Sequence, residues 1–214
     1  QGVSSAASDV YKRQLMRRSF PDVVFHPLEE FTLNRLKNFD HFIMLGSLAH
    51  VFRHDKSKFK KHSYLIPNPK KVSQWRERLN PTGDTKLIGI SWRGGTVGTH
   101  ARRRSVDFEQ FRRLVDGKHH HLVSLQFGDE KDPSRTGLTR VPPDEKLDLD
   151  DLAALITALD EVVTVQNTNV HICGALGKTC TVIIPNIPEW RYGLEKEMYW
   201  YTSPQIVQRK DFFD

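Results

Sequence analysis

The chain has 214 residues, 38% of them hydrophobic and 27% charged, with a formal net charge of +6 at pH 7. That length accommodates one large or two small domains, and no apolar run approaches the roughly 20 residues that a membrane-spanning helix needs. The two cysteines, Cys173 and Cys180, fall in a predicted helix and a predicted strand and read as buried reduced thiols, not as a disulfide or metal framework.

Gln1 is not a natural start, and no basic segment followed by an apolar core marks a secretory signal. Residues 1–14 read as a non-native leader, so the chain is expected to be a fragment of a longer protein. Residues 23–25 are a short strand candidate. Residues 53–71 gather Arg53, Lys56, Lys58, Lys60, Lys61, Lys70 and Lys71 against Asp55 alone, a solvated basic face or a weak polyanion signal. Pro69–Leu79 reads as a helix, with proline in its first turn and Val72, Trp75 and Leu79 on one side. A turn follows at 80–83, and a domain boundary is expected just before Lys86.

From Lys86 onward strands and helices alternate. Lys86–Ser91 is a strand, 107–116 a helix, 121–126 a strand, and 150–159 a helix started by Asp148 or Asp150. Residues 161–185 then read as strand, polar turn, helix, strand. The turn Gln166-Asn-Thr168 has side chains that cap helices, and Gly177 stops the helix. This alternation predicts an α/β fold, a doubly wound parallel sheet with helices on both faces. In such a sheet ligands sit beyond the carboxyl ends of the strands, where a helix N-terminus presents N–H groups to phosphate.

Several motifs compete for function. Gly174-Ala-Leu-Gly-Lys-Thr179 is not a phosphate-binding P-loop, because Ile172 occupies the first glycine position and Lys-Thr opens a strand, not a helix. His119, His120 and His121 read as a surface loop, and Asp148, Asp150 and Asp151 as helix-start chemistry; no metal site is expected. Glycines at 94–95 allow close backbone approach to a ligand. Arg93, Arg103 and Arg104 read either as solvated arginines of a surface turn or as groups suited to diphosphate neutralisation, Arg104 first among them. Gln126 ends a strand, followed by Phe127-Gly-Asp129, and reads either as a contact to a nucleotide base or ribose or as a satisfied loop amide. Trp190, Tyr192 and Tyr199–Tyr201 form an aromatic-rich tail.

TVQNTNVHICGALGKT (164–179) resembles the donor-binding segment of GT-B glycosyltransferases, S-V-D-T-x-x-x-H-L-A-G-A-L-G-x-P. It looks most like the tetratricopeptide-associated glycosyltransferase-like proteins, relatives of the lipopolysaccharide heptosyltransferases. His171 and Gly174-Ala-Leu-Gly177 match; Gln166 stands for Asp and Asn167 for Thr. LIGISWRGG with Arg102-Arg-Arg-Ser105, LVSLQFGD, residues 150–165 and Pro188-Glu-Trp-Arg191 continue the likeness over about residues 64–210, and DHFIMLGSLAHVF resembles the close of the family's N-terminal domain. The resemblance implies a remnant of that domain at 15–85 and a Rossmann-like nucleotide-sugar-binding domain at 86–214. It implies donor contacts from Trp92, Arg93, Gly94, Arg103, Arg104, Gln126, Gln166, Asn167, Thr168, Asn169 and His171.

The implied activity is metal-independent, inverting glycosyl transfer from a nucleotide-diphosphate sugar in the bacterial cytoplasm, without a further cofactor. The acceptor, whether protein, lipid or glycan, is unspecified. The catalytic base is unassigned and expected from the N-terminal domain, so this chain alone is expected to be inactive. The alternative is a non-catalytic interaction module of the same fold, consistent with Gln166 replacing Asp. A nucleic-acid binder using Arg102–Arg104 and the 56–71 lysines ranks third, and nucleic acid is not an expected partner.

Overall fold

The computed structural model describes residues 4–8, 13–27, 32–80, 82–95, 98, 101–117, 119–126, 137–139, 148–193 and 197–213. Phe127-Gly-Asp129 lies outside the described residues. Strands β1 (Ser4–Ser8) and β2 (Val23–Pro27) pair in parallel around helix α1 (Arg13–Ser19). Short helices α2 (Leu33–Leu36) and α3 (Leu48–Phe52) follow, then α4 (Pro69–Leu79), whose Asn68 cap accepts from Lys70 N. The remaining elements are β3 (Lys86–Ser91), α5 (Ala101–Arg104), α6 (Phe108–Val115), β4 (His120–Ser124), β5 (Leu138–Thr139), α7 (Leu149–Ala158), β6 (Glu161–Val165), α8 (Thr168–Leu176), β7 (Cys180–Ile184), β8 (Pro204–Gln208) and α9 (Lys210–Phe213).

β3 to β8 form one sheet in the order β5-β4-β3-β6-β7-β8, every pair parallel. The chain steps outward from β3 to β5, returns to lie beside β3 as β6, then steps outward the other way. This reversal between β3 and β6 is the switch point of a doubly wound sheet. The α/β expectation holds, with helices on both faces.

Side chains of a strand alternate between faces, and β3 shows how this divides the core. Leu87 packs with Trp75, Leu79, Leu155 and Leu159 under α4 and α7, whereas Ile88 and Ile90 pack with Phe108 and Phe111 of α6. Leu15 of α1 is fully buried in the first of these clusters. α1 is also tied to α7 by charge. Arg18 and Lys71 both pair with Asp150, whose side chain is completely buried.

The helix starts and stops obey local chemistry. Asp148 caps α7 by accepting from Asp151 N at 2.7 Å, and Gly177 ends α8 in the left-handed region at φ 72°, a conformation that suits glycine. Three strands absent from the sequence reading are β1, β5 and β8. Among the described residues no helix is long and apolar enough to cross a membrane, and Cys173 and Cys180 are buried free thiols.

A candidate anion-binding site at the sheet switch point

The site begins with the loops that leave β3 and β6. Gly94 lies so close to the β6 loop that a Cβ there would fall 2.4 Å from the Gln166 carbonyl oxygen. Only glycine permits that contact, and it brings the two loops together. Arg104 Nη2 then donates to the same carbonyl at 2.7 Å.

A side-chain network ties three strand ends into one rim. Asn167 Nδ2 donates to Ser91 Oγ at 2.9 Å, and Ser91 Oγ to Gln126 Oε1 at 3.1 Å. Arg93 N also donates to Gln126 Oε1, at 2.8 Å. Asn169 Nδ2 reaches the Leu125 carbonyl at 3.2 Å. Asn167 Oδ1 caps α8 by accepting from Asn169 N at 3.0 Å. Gln126, Asn167 and Asn169 therefore hold the rim of the site in place.

Over this rim opens a cleft of about 460 Å³, lined by Gly95, Arg104, Asn167, Thr168, His171, Glu189, Arg191 and Tyr192. The N–H groups of a helix's first turn lack intrahelical partners and carry partial positive charge; the start of α8 brings this to the cleft beside two guanidinium groups. Arg104 is mostly buried and pairs with Glu189 at 3.2 Å. Arg191 lies over the Trp190 ring at 4.4 Å, and Trp200 Nε1 donates to its carbonyl.

His171 stands one turn into α8, its ring 5.8 Å from Tyr192 and 6.0 Å from Tyr201. Burial, then the charges of Arg191 and Arg104, push its pKa down from 6.5 to about 4. The imidazole is neutral at pH 7. Burial likewise raises the pKa of the Tyr192 hydroxyl, which has no hydrogen-bond partner among the described residues and stays protonated as a donor.

Of the residues singled out in the sequence, Arg104, Asn167, Thr168 and His171 line this cleft. Gly94, Gln126 and Asn169 shape it from behind. Arg103 and Gln166 line a neighbouring cleft. Arg93 is exposed, and Trp92 is 1% exposed, packed in the core with its ring 4.7 Å from that of Phe108. Glu189, Arg191 and Tyr192, which also line the cleft, belong to the region that the resemblance implies lies near the sugar and the domain cleft, although none was singled out as a contact. Their signal was the Pro188-Glu-Trp-Arg191 segment just beyond β7, at the same sheet edge. Among the described residues no three His, Cys, Asp or Glu side chains converge as metal ligands would.

Comparison with solved structures shows the same architecture. Escherichia coli ADP-heptose lipopolysaccharide heptosyltransferase II superposes with a TM-score of 0.62 at 12% identity, covering 100% of this chain and 86% of that one. A family 9 glycosyl transferase from Veillonella parvula superposes at 0.51 and 14% identity, over 98% and 57% of the two chains. The fold is GT-B glycosyltransferase-like. By sequence the chain is 27% identical over 175 residues to the protein FlbA of Caulobacter vibrioides, an alignment covering 77% of this chain and 29% of FlbA. The chain thus spans under a third of the length of that curated relative. No family model matches it.

Proposed function

We propose that this GT-B-like chain binds a nucleoside-diphosphate sugar and serves as the donor side of a glycosyl transfer reaction. The observation that carries this reading is the convergence of Arg104, Arg191 and the α8 N-terminus on one cleft at the switch point of a parallel sheet. In glycosyl transfer the acceptor attacks the anomeric carbon while the nucleoside diphosphate departs, so charge develops on the leaving phosphate. Pre-placed donors lower the barrier most when they meet that charge. Arg104 supplies a fixed guanidinium, and the neutral His171 and protonated Tyr192 border the same space without adding negative charge. Against the Glu189 carboxylate that pairs with Arg104, Arg191 and the helix terminus leave the cleft net positive, so binding is expected to proceed without a divalent cation.

Titration calorimetry with ADP, UDP, GDP and CDP tests the reading. One of them is expected to bind, and to bind equally with magnesium or with EDTA. Absence of binding by all four would overturn the donor role. A loss beyond about tenfold on chelation, roughly 1.4 kcal/mol, would overturn metal independence.

A further inference from the structure

Tyr201 belongs to the aromatic tail beyond β7 and does not itself line the switch-point cleft. It lies against α8. A Cβ at Gly174 would fall 2.2 Å from Tyr201 Cγ and 2.8 Å from its Cβ, so the tyrosine fills space that a side chain at 174 would need. Gly174 stands three residues after His171, and residues so spaced share one side of a helix. The Tyr201 ring centre is 6.0 Å from that of His171, and Tyr192 borders the same imidazole at 5.8 Å.

Among the described residues no hydrogen bond orients the His171 side chain. Its orientation in the cleft wall is therefore set by packing between two tyrosine rings, and close packing leaves a wedged ring few staggered positions. Tyr201 is held in its turn. It is 8% exposed, its ring is 6.3 Å from that of Tyr64, and the two hydroxyls lie 3.4 Å apart. The backbone at Tyr64 is anchored independently of its side chain. Tyr64 N and Leu65 N both donate to the Ala175 carbonyl at 2.8 Å, one of the carbonyls that a helix end leaves without an intrahelical partner.

We propose that Tyr201 is a positioning residue for the anion cleft: it fixes the His171 ring so that the one N–H of the neutral imidazole donates to a bound phosphate, and Tyr64 steadies it. This inference rests on the diphosphate reading above and adds a residue outside the cleft that tunes it.

The test combines proton magnetic resonance of the His171 ring with affinity for inorganic pyrophosphate, a diphosphate carrying neither base nor sugar. In the parent chain pyrophosphate is expected to shift the His171 ring signals. Tyr201→Leu is expected to move those signals in the free chain and to weaken pyrophosphate binding about tenfold, the scale of one hydrogen bond to a charged group. Tyr201→Phe keeps the ring and is expected to restore both. In a His171→Ala background Tyr201→Leu is expected to cost no further affinity, since two residues acting through one contact are not additive. A merely structural role would give the same loss in both backgrounds. That result, or His171 signals that pyrophosphate leaves in place, would overturn the proposal. Should Tyr201→Leu not fold, Tyr64→Leu keeps the backbone anchors and is expected to move the same His171 signals; their silence would overturn it equally. Pyrophosphate binding at His171 where no nucleoside diphosphate binds defeats the donor reading and leaves the positioning role standing.

Discussion

Arg104 holds the site together as well as charging it. Its Nη2 fixes the β6 loop through the Gln166 carbonyl, and its Nη1 meets Glu189 across the cleft. Arg104→Ala is expected to weaken diphosphate binding by about 1.5–3 kcal/mol, the range for hydrogen bonds to charged groups. Arg112, on α6, lines neither cleft, and Arg112→Ala is expected to change little in the same calorimetric series; equal effects would misplace the site. His171 gives a second residue-scale test, through pH. Its folded pKa of about 4 lies below the unfolded 6.5, so between these values the unfolded chain binds more protons. The stability His171 contributes is complete above pH 6.5 and is lost as pH falls toward 4, by about 3 kcal/mol. His171→Gln is expected to flatten that part of the stability–pH curve. A bound diphosphate adds negative charge beside the ring, so the His171 pKa is expected to rise on binding and affinity to grow as pH drops through the same window. A histidine titrating near 6.5 in the free chain, or unmoved by ligand, would refute this.

At the scale of elements, α8 links folding to the site through Asn167. Its Oδ1 caps the helix and its Nδ2 bonds Ser91. Asn167→Asp keeps the cap and loses the bond to Ser91, while placing a negative charge beside the anion cleft. It is expected to melt near the parent temperature and bind diphosphate more weakly. Asn167→Ala loses both contacts and is expected to cost about 1 kcal/mol of stability besides. If the Asp variant bound as well as the parent, α8 would not face the ligand. The same elements show what the sequence made legible. β-branched runs such as Glu161–Val165 and the amphipathic α4 declared themselves, and their alternation implied the parallel sheet. β5 is two residues long, and β8 opens on Pro204 at the sheet edge, where proline is tolerated but gives no strand signal. Trp92 sits in a motif that resembles a phosphate loop, yet it continues the i, i+2 series of Ile88 and Ile90 into the core, and that period was readable. Gln166 reads as a ligand contact from its place in the turn, but its bond to Glu189 depends on a residue 23 positions on. The neighbouring cleft draws on α5 and on the turns after β6 and β7 at once, which no local pattern encodes.

At the scale of the whole molecule, the described residues supply the switch-point cleft well with cations and poorly with bases. A hydroxyl acceptor must lose its proton as it attacks, and general-base help is most effective from a group whose pKa lies near the working pH. His171, with a pKa of about 4, is a weak base at pH 7, and Glu189 is ion-paired with Arg104. On the proposed donor reading, such a lining favours departure of a leaving group without activating a nucleophile. The chain also presents an apolar surface far from the cleft residues in sequence, with Phe42 68%, Met44 72%, Leu45 83% and Phe52 57% exposed. Exposed apolar side chains favour association where they adjoin. We therefore expect this 214-residue chain to bind a donor and consume it no faster than buffer does, even with a broad mixture of hydroxyl acceptors. Phe42→Ser with Leu45→Ser is expected to reduce concentration-dependent light scattering without altering diphosphate affinity. Donor consumption is read by release of free nucleoside diphosphate, and affinity by calorimetry on the same samples. Turnover well above background that disappears in Glu189→Gln would show that the Arg104-paired carboxylate serves as the base after all, and the separation of binding from catalysis argued here would fall.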